Sequence, residues 1–383
     1  MRSASTRARR LTLACALLFA SCFGVRAERH LASAPRAVMQ FAWTRVLTEH
    51  GYDVYRPRES AVATVDARGE RHFIGSTSGV FLCLRARDGA ELWKVATDGP
   101  IASRPLEVDR LGVVYFGSDD GHLYAVGAAD GRVLWRYATK GTVRQPPVYD
   151  AGVLYFVTSE ERVYAVEART GRWRWHYERG LPEGFTIDGQ SGLTLARGRL
   201  YAGFADGVVV ALDGRSGELL WLRSLGVGDE RYVDADGTPR YDAERDAIYA
   251  SAYSGGVYAL DPDDGSVRWR FEARGPSAPR LADGVLYFTA AEDGVYAIDR
   301  DGRVLWRQTM RRGLPAAPVP AGDYLFVSTA EGGLFAIARR DGRLLALFPP
   351  GGGISAEPVV ASDRLYVLSN NGRLYAALLG ERL

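Results

Sequence analysis

From Arg71 onward the chain repeats one arrangement of apolar and polar positions. A run of five or six residues rich in Val, Tyr and Phe, as in Val153-Leu154-Tyr155-Phe156-Val157, predicts a strand. A Gly-containing turn follows, at Gly79, Gly121, Gly207 or Gly372, and then a second apolar run such as Leu123-Tyr124-Ala125-Val126 predicts a second strand. That strand ends in an Asp-Gly pair (Asp130-Gly131, Asp264-Gly265, Asp301-Gly302, Asp341-Gly342), which tolerates the positive backbone angles of a tight hairpin. Four residues beyond the turn glycine stands a tryptophan, at Trp93, Trp135, Trp175, Trp221, Trp269 and Trp306, opening a third strand. A further strand precedes each unit and usually starts near a proline, as at Pro105, Pro147, Pro279, Pro318 and Pro358. Proline suits a strand start because its missing N–H then costs no ladder bond.

Units open at Arg71, Val113, Val153, Arg199, Ala247, Val285, Tyr324 and Arg364, 38 to 48 residues apart. Four strands at this period predict an all-β fold, an eight-bladed β-propeller of four-stranded antiparallel blades. The last unit stops at Leu383 before its tryptophan strand, while Phe41-Ala42-Trp43-Thr44-Arg45-Val46-Leu47 reads as an orphan of that strand. Exchange of this N-terminal strand into the last blade would close the ring and remove its exposed edges. One tryptophan per blade at a fixed address predicts packing between adjacent blades rather than a cofactor platform. Ala346 replaces it in the seventh unit, so that junction is expected to be looser or differently filled.

Composition adds limits. Although 383 residues could hold two or three domains, the unbroken repeat predicts one, over 38–383. Apolar residues make up 47% and charged residues 25%, enough for a large core. A net charge of +2 without a basic stripe argues against nucleic acid as a partner. Residues 1–27 read as a secretory signal, with Arg2, Arg7, Arg9 and Arg10 before the apolar stretch Leu11 to Ala20, and 28–37 as a linker. Two endings compete: Phe19-Ala20-Ser21-Cys22 resembles a lipoprotein box, which would lipidate Cys22 and is the preferred reading, while Val25-Arg26-Ala27 suits ordinary cleavage. Cys83 is then the one thiol left in the body of the chain, in the slot that holds Ala125, Ala165 and Ala211, and reads as a small buried apolar residue.

Chemistry is sparse. His30, His50, His72, His122 and His176 are scattered and none adjoins a nucleophile motif, so no catalytic residue, cofactor or metal is expected. Asp234-Ala235-Asp236-Gly237 forms only half a calcium loop, without its closing acid. The departure from regularity lies between units, where the steps from Val153 to Arg199 and from Arg199 to Ala247 are 46 and 48 residues. Both insertions follow the tryptophan strand, so the two loops should emerge side by side on one rim, a usual place for binding.

The whole mature chain resembles quinoprotein-like propeller repeats, and its size, eight units and lipid-anchor signal resemble the BamB family of the outer-membrane β-barrel assembly machine. In that family the two loops carry an apolar-x-apolar-Arg-Gly-x-Ser stretch and an Asp-x-Asp-x-Thr-Pro stretch that contact the barrel protein BamA. Phe185-Thr186-Ile187-Asp188-Gly189-Gln190-Ser191 is similar to the first, and Asp234-Ala235-Asp236-Gly237-Thr238-Pro239 to the second. The resemblance implies a non-enzymatic scaffold on the periplasmic face of the outer membrane, a monomer within a complex, bound to a BamA-like partner through Phe185, Ile187, Asp188, Asp234 and Asp236. Asp188 departs from the family by standing where it has a basic residue, so the partner or the docking should differ there. Unfolded barrel substrates, pairing with blade edges, are a second implied partner. Two other readings stay open: a soluble periplasmic or secreted propeller binding an unrelated protein or glycan, and a quinone-dependent dehydrogenase, disfavoured because the chain lacks adjacent cysteines.

Overall fold

The computed structural model describes residues 38–48, 59–179, 191–226, 233–291, 293–310 and 315–380. Within Val38–Leu383 the strands form eight antiparallel sheets of four strands each. The second strands of the blades open at the residues that open the units in the sequence, from Arg71 in blade 1 to Arg364 in blade 8. Blade 8 takes its outermost strand from the N-terminus: Met39–Val46 pairs antiparallel with Arg373–Leu379. Ring closure by strand exchange is therefore observed as expected.

Each blade buries its two middle strands almost completely. Alternate faces of these strands serve the junctions with the preceding and following blades. Phe156, Leu154 and Val166 pack toward blade 2, while Tyr155, Val157 and Val163 pack toward blade 4. Cys83 is one such middle-strand residue, fully buried opposite Trp93, and burial pushes its thiol up to about 12. It behaves as the small apolar residue expected of its slot.

The tryptophans pack between blades, and the structure shows against what. A Cβ added to Gly131 in the hairpin turn of blade 2 would lie 2.5 Å from Cε3 of Trp93 in blade 1. The same face-on approach joins Trp43 to Gly89, Trp135 to Gly171, Trp175 to Gly217, Trp221 to Gly265, Trp269 to Gly302 and Trp306 to Gly342. The turn glycine thus answers two demands at once, a positive φ and an indole lying on its Cα. Most of these indoles also donate Nε1–H to a carbonyl of the next blade: Trp43 to Ala86 at 3.0 Å, Trp93 to Ala128 at 3.2 Å, Trp221 to Pro262 at 3.0 Å, Trp306 to Arg339 at 2.8 Å.

Ala346 now has a physical explanation. Blade 7 faces blade 8, whose outermost strand arrives from the far end of the chain, so blade 8 has no hairpin glycine there for an indole to cover. The junction is filled instead by Phe41, Phe348 and Tyr375, with ring centroids 4.4 to 5.9 Å apart, together with Val38 and Met39.

The dual role of the turn glycine predicts a difference between two glycine substitutions. Gly131 and Gly152 both have positive φ, but only Gly131 faces an indole, and nothing lies within 4 Å of a Cβ on Gly152. Gly152→Ala should cost about 1–2 kcal/mol of backbone strain. Gly131→Ala should cost about 2 kcal/mol more, because the indole must shift in a packed junction. Urea unfolding of the two variants measures the difference, and equal losses would mean that the indole contact carries no weight.

Candidate functional site

The connections that leave one blade and enter the next share a rim with the turns between the second and third strands. The two long connections run from Glu178 to Leu193 and from Ser224 to Arg240. Phe185, Ile187 and Asp188 lie outside the described residues, as does Cys22. The ends of the loops are described, and they are bonded to each other. The Gly192 N–H donates to Thr238 Oγ1 at 2.9 Å, the Ser191 hydroxyl to the Gly237 carbonyl at 3.5 Å, and the Thr194 hydroxyl to the Pro239 carbonyl. The two insertions do sit side by side.

Within the second loop the two acids are placed differently. Asp234 is 2% exposed, while Asp236 is half-buried and lines two cavities. One cavity, of about 520 Å³, sits on the rim between Asp236, Tyr253, Pro276, Ser277 and Pro315. The other, of about 990 Å³, follows the ring axis. The Asp234 backbone is tied in as well: its carbonyl accepts the Tyr253 N–H at 2.8 Å, and the Ala235 N–H donates to the Phe204 carbonyl at 3.0 Å. Gly237 separates the acids from the strand because space demands it, since a Cβ there would lie 2.1 Å from Ser251 Oγ.

Beneath the loops lies a polar knot that the repeat pattern did not bring forward. Glu161 occupies the turn slot that Gly121 fills in blade 2, and it keeps the glycine-like φ of +56°. Its carboxylate is buried and accepts the Ala205 N–H at 3.1 Å, while Arg179 forms an ion pair with neighbouring Asp206. Burial pushes the Glu161 carboxyl up to about 7, and the charges of Asp206 and Asp234 push the same way against Arg179 and the backbone bond. A non-glycine residue in a glycine slot was the sequence signal for it.

The fold and this rim define the class: an eight-bladed propeller of quinoprotein-like repeats whose irregular surface is a pair of joined loops. A family model described as outer membrane protein assembly factor BamB matches residues 77–300 and 254–381, and the chain belongs to that family. The protein of that name from Legionella pneumophila (strain Paris) is 34% identical over 144 residues, 36% of this chain. That stretch spans 37% of the relative's own length. Among solved structures, BamB from Moraxella catarrhalis superposes with a TM-score of 0.76 at 21% identity, over 89% of this chain and 100% of that one. The quinohemoprotein alcohol dehydrogenase of Comamonas testosteroni also superposes, with a TM-score of 0.71 at 16% identity over 90% of this chain and 77% of that one. At such identities shape shows the fold alone, and it is the family match that separates the two kinds of propeller.

Glu161 carries a pH prediction. Its folded pKa of about 7 lies above the usual 4.5, so the stabilisation from its protonated form is complete below pH 4.5 and is lost as pH rises to about 7. Against Glu161→Gln, the wild type should therefore lose up to about 3 kcal/mol of unfolding free energy between pH 4.5 and 8. Urea unfolding of both proteins at pH 5 and pH 8 tests it, and parallel pH profiles would refute the burial account of this group.

Proposed function

We propose that the protein is a non-enzymatic scaffold of the periplasm that assists assembly of outer-membrane β-barrel proteins by presenting its rim loops to a BamA-like barrel partner. The observation that carries this reading is the family match along almost the whole ring, joined to a rim where the two long loops are fastened together beside an acid-lined cavity. The loops need a rigid support to present a constant surface, and the closed ring supplies it.

The two acids take different parts in this reading. In it Asp236, which lines the rim cavity, is the acid offered to a basic group of the partner, whereas Asp234 is buried, and the main chain at Asp234 and Ala235 ties the loop to blades 5 and 4. Phe185 and Ile187 supply apolar anchoring in this reading, since buried aliphatic and aromatic anchors carry most of an interface's energy. Asp188, in the slot where the family has a basic residue, would select a partner that lacks a matching acid. Lipidation at Cys22 would hold the ring at the outer membrane, facing the periplasm.

Affinity capture from native membranes with the purified protein, followed by mass spectrometry, tests the reading. Wild type should recover a BamA-like barrel. Asp236→Ala should weaken capture about tenfold with unchanged thermal stability, as expected for losing one charged hydrogen bond. Recovery of no such barrel by wild type would leave a propeller that binds some unrelated protein or glycan.

A further inference from the structure

The axial cavity holds a second set of groups that the rim reading does not use. Residues from all eight blades line it, from loop residues such as Ala102, Arg144 and Pro276 to the turn residues Ala67 and Asp109, so it follows the innermost strands. One register position makes the wall comparable from blade to blade. The residue paired with the third position of the second strand is Thr64, Leu106, Val148 and Thr194 in blades 1 to 4 and Val319 and Val359 in blades 7 and 8. In blades 5 and 6 it is Arg240 and Arg280. Two adjacent blades thus place arginines where the other six place small or apolar side chains. Arg104, just before the inner strand of blade 2, lines the same cavity.

These guanidinium groups are poorly compensated. Arg280 reaches Glu357 of blade 8 with Nη2, at 2.5 and 2.6 Å from the two carboxylate oxygens, and Arg144 is tied to Asp119 at 3.0 and 3.1 Å. Arg104 and Arg240 have no hydrogen-bond or ion-pair partner among the described residues. The Nε atoms of both Arg240 and Arg280 are buried without an acceptor. Burial holds the Arg240 guanidinium down to about 10, with Arg280 and Arg104 repelling it and Glu357 alone opposing them. The other acids of the wall keep different company: Glu107, near the turn end, sits among Asp66, Asp109, Arg71 and Arg68. Around Glu357 the wall therefore sets three cations, Arg104, Arg240 and Arg280, against one carboxylate within electrostatic reach, while Asp236 lines both this cavity and the one on the rim.

Such an arrangement costs stability unless an anion relieves it, because like charges repel and the buried Nε–H groups of Arg240 and Arg280 lose their hydration, while the exposed Arg104 keeps its guanidinium open to a ligand. Planar guanidinium forks match the oxygens of phosphates and carboxylates in pairs. We propose that the axial cavity binds a small oxyanion of at least two negative charges, a phosphate or a polycarboxylate, gripped by Arg240 and Arg104 with Arg280 beside it. A volume of about 990 Å³ admits a molecule considerably larger than the anionic group itself. Glu357 acts as a gate on affinity, since it competes with the ligand for Arg280.

Isothermal titration calorimetry on the purified protein at low salt, with inorganic pyrophosphate and with citrate as separate probes, tests this. At least one probe should bind saturably with one site per chain, weakening as sodium chloride is raised. Preference for pyrophosphate or for citrate reads which oxyanion the cavity suits. Arg240→Ala should weaken binding about tenfold or more, and Glu357→Gln should tighten it by a similar factor. The Glu357→Gln arm keeps the test valid should Arg240→Ala fail to fold, because a gain in affinity cannot come from misfolding. Absence of saturable binding of both probes to the wild type, or equal affinity in the wild type and Arg240→Ala, would overturn the proposal.

Discussion

An indole lying on a glycine is the contact on which the rest of this ring depends. Neighbouring four-stranded sheets meet through packed apolar faces and a few buried side-chain bonds, such as those of the Tyr115 and Tyr155 hydroxyls to the Ala168 and Gly214 carbonyls of the next blade, both at 2.9 Å. A flat ring seated on a Cα, with its N–H held by a carbonyl of the neighbouring blade, fixes both the distance and the rotation between blades. The indole lies on a glycine at seven junctions, from Trp43 on Gly89 to Trp306 on Gly342, with the N–H bonded in all of these but Trp175, and so sets the pitch of the ring. The eighth junction uses aromatic side chains instead, because strand exchange removes the glycine turn that the lock requires. Closure and the loss of tryptophan at Ala346 are two consequences of one topological choice.

Rigidity of this kind frees the connections from structural duty. The two long ones fasten to each other through Gly192, Thr238 and Pro239, and below them buried Glu161 lies beside the half-buried ion pair of Asp206 and Arg179. Asp234 is buried where the backbone bonds to Phe204 and Tyr253 draw the loop onto the ring, and two residues further on Asp236 is half-exposed. The buried acid and the half-exposed one are two residues apart in the sequence and differ in what they can offer a partner.

Much of this was legible in the residues. The unit starts, the proline-led inner strands, the orphan strand around Trp43 and the alanine-like slot of Cys83 all follow from patterns that packing enforces at every repeat. What the repeat hides is departure from itself. Glu161 in a glycine slot and Arg240 and Arg280 in a slot of small or apolar residues are visible once the blades are aligned on their pairing register, which the innermost strands, only two to four residues long, do not announce. The different burial of Asp234 and Asp236 was not legible at all, because a loop carries no period from which a side chain's direction can be read.

Hydrogen–deuterium exchange of the protein alone and in complex with a purified BamA-like barrel tests most directly the claim that a fixed ring presents one rim. The account predicts slowed exchange in residues 191–192 and 233–239 and the adjoining loop segments, with the outer strands Val133–Ala138 and Leu219–Ser224 unchanged. Slowed exchange along those outer strands, with the rim unaffected, would contradict it and move the working surface to the blade edges.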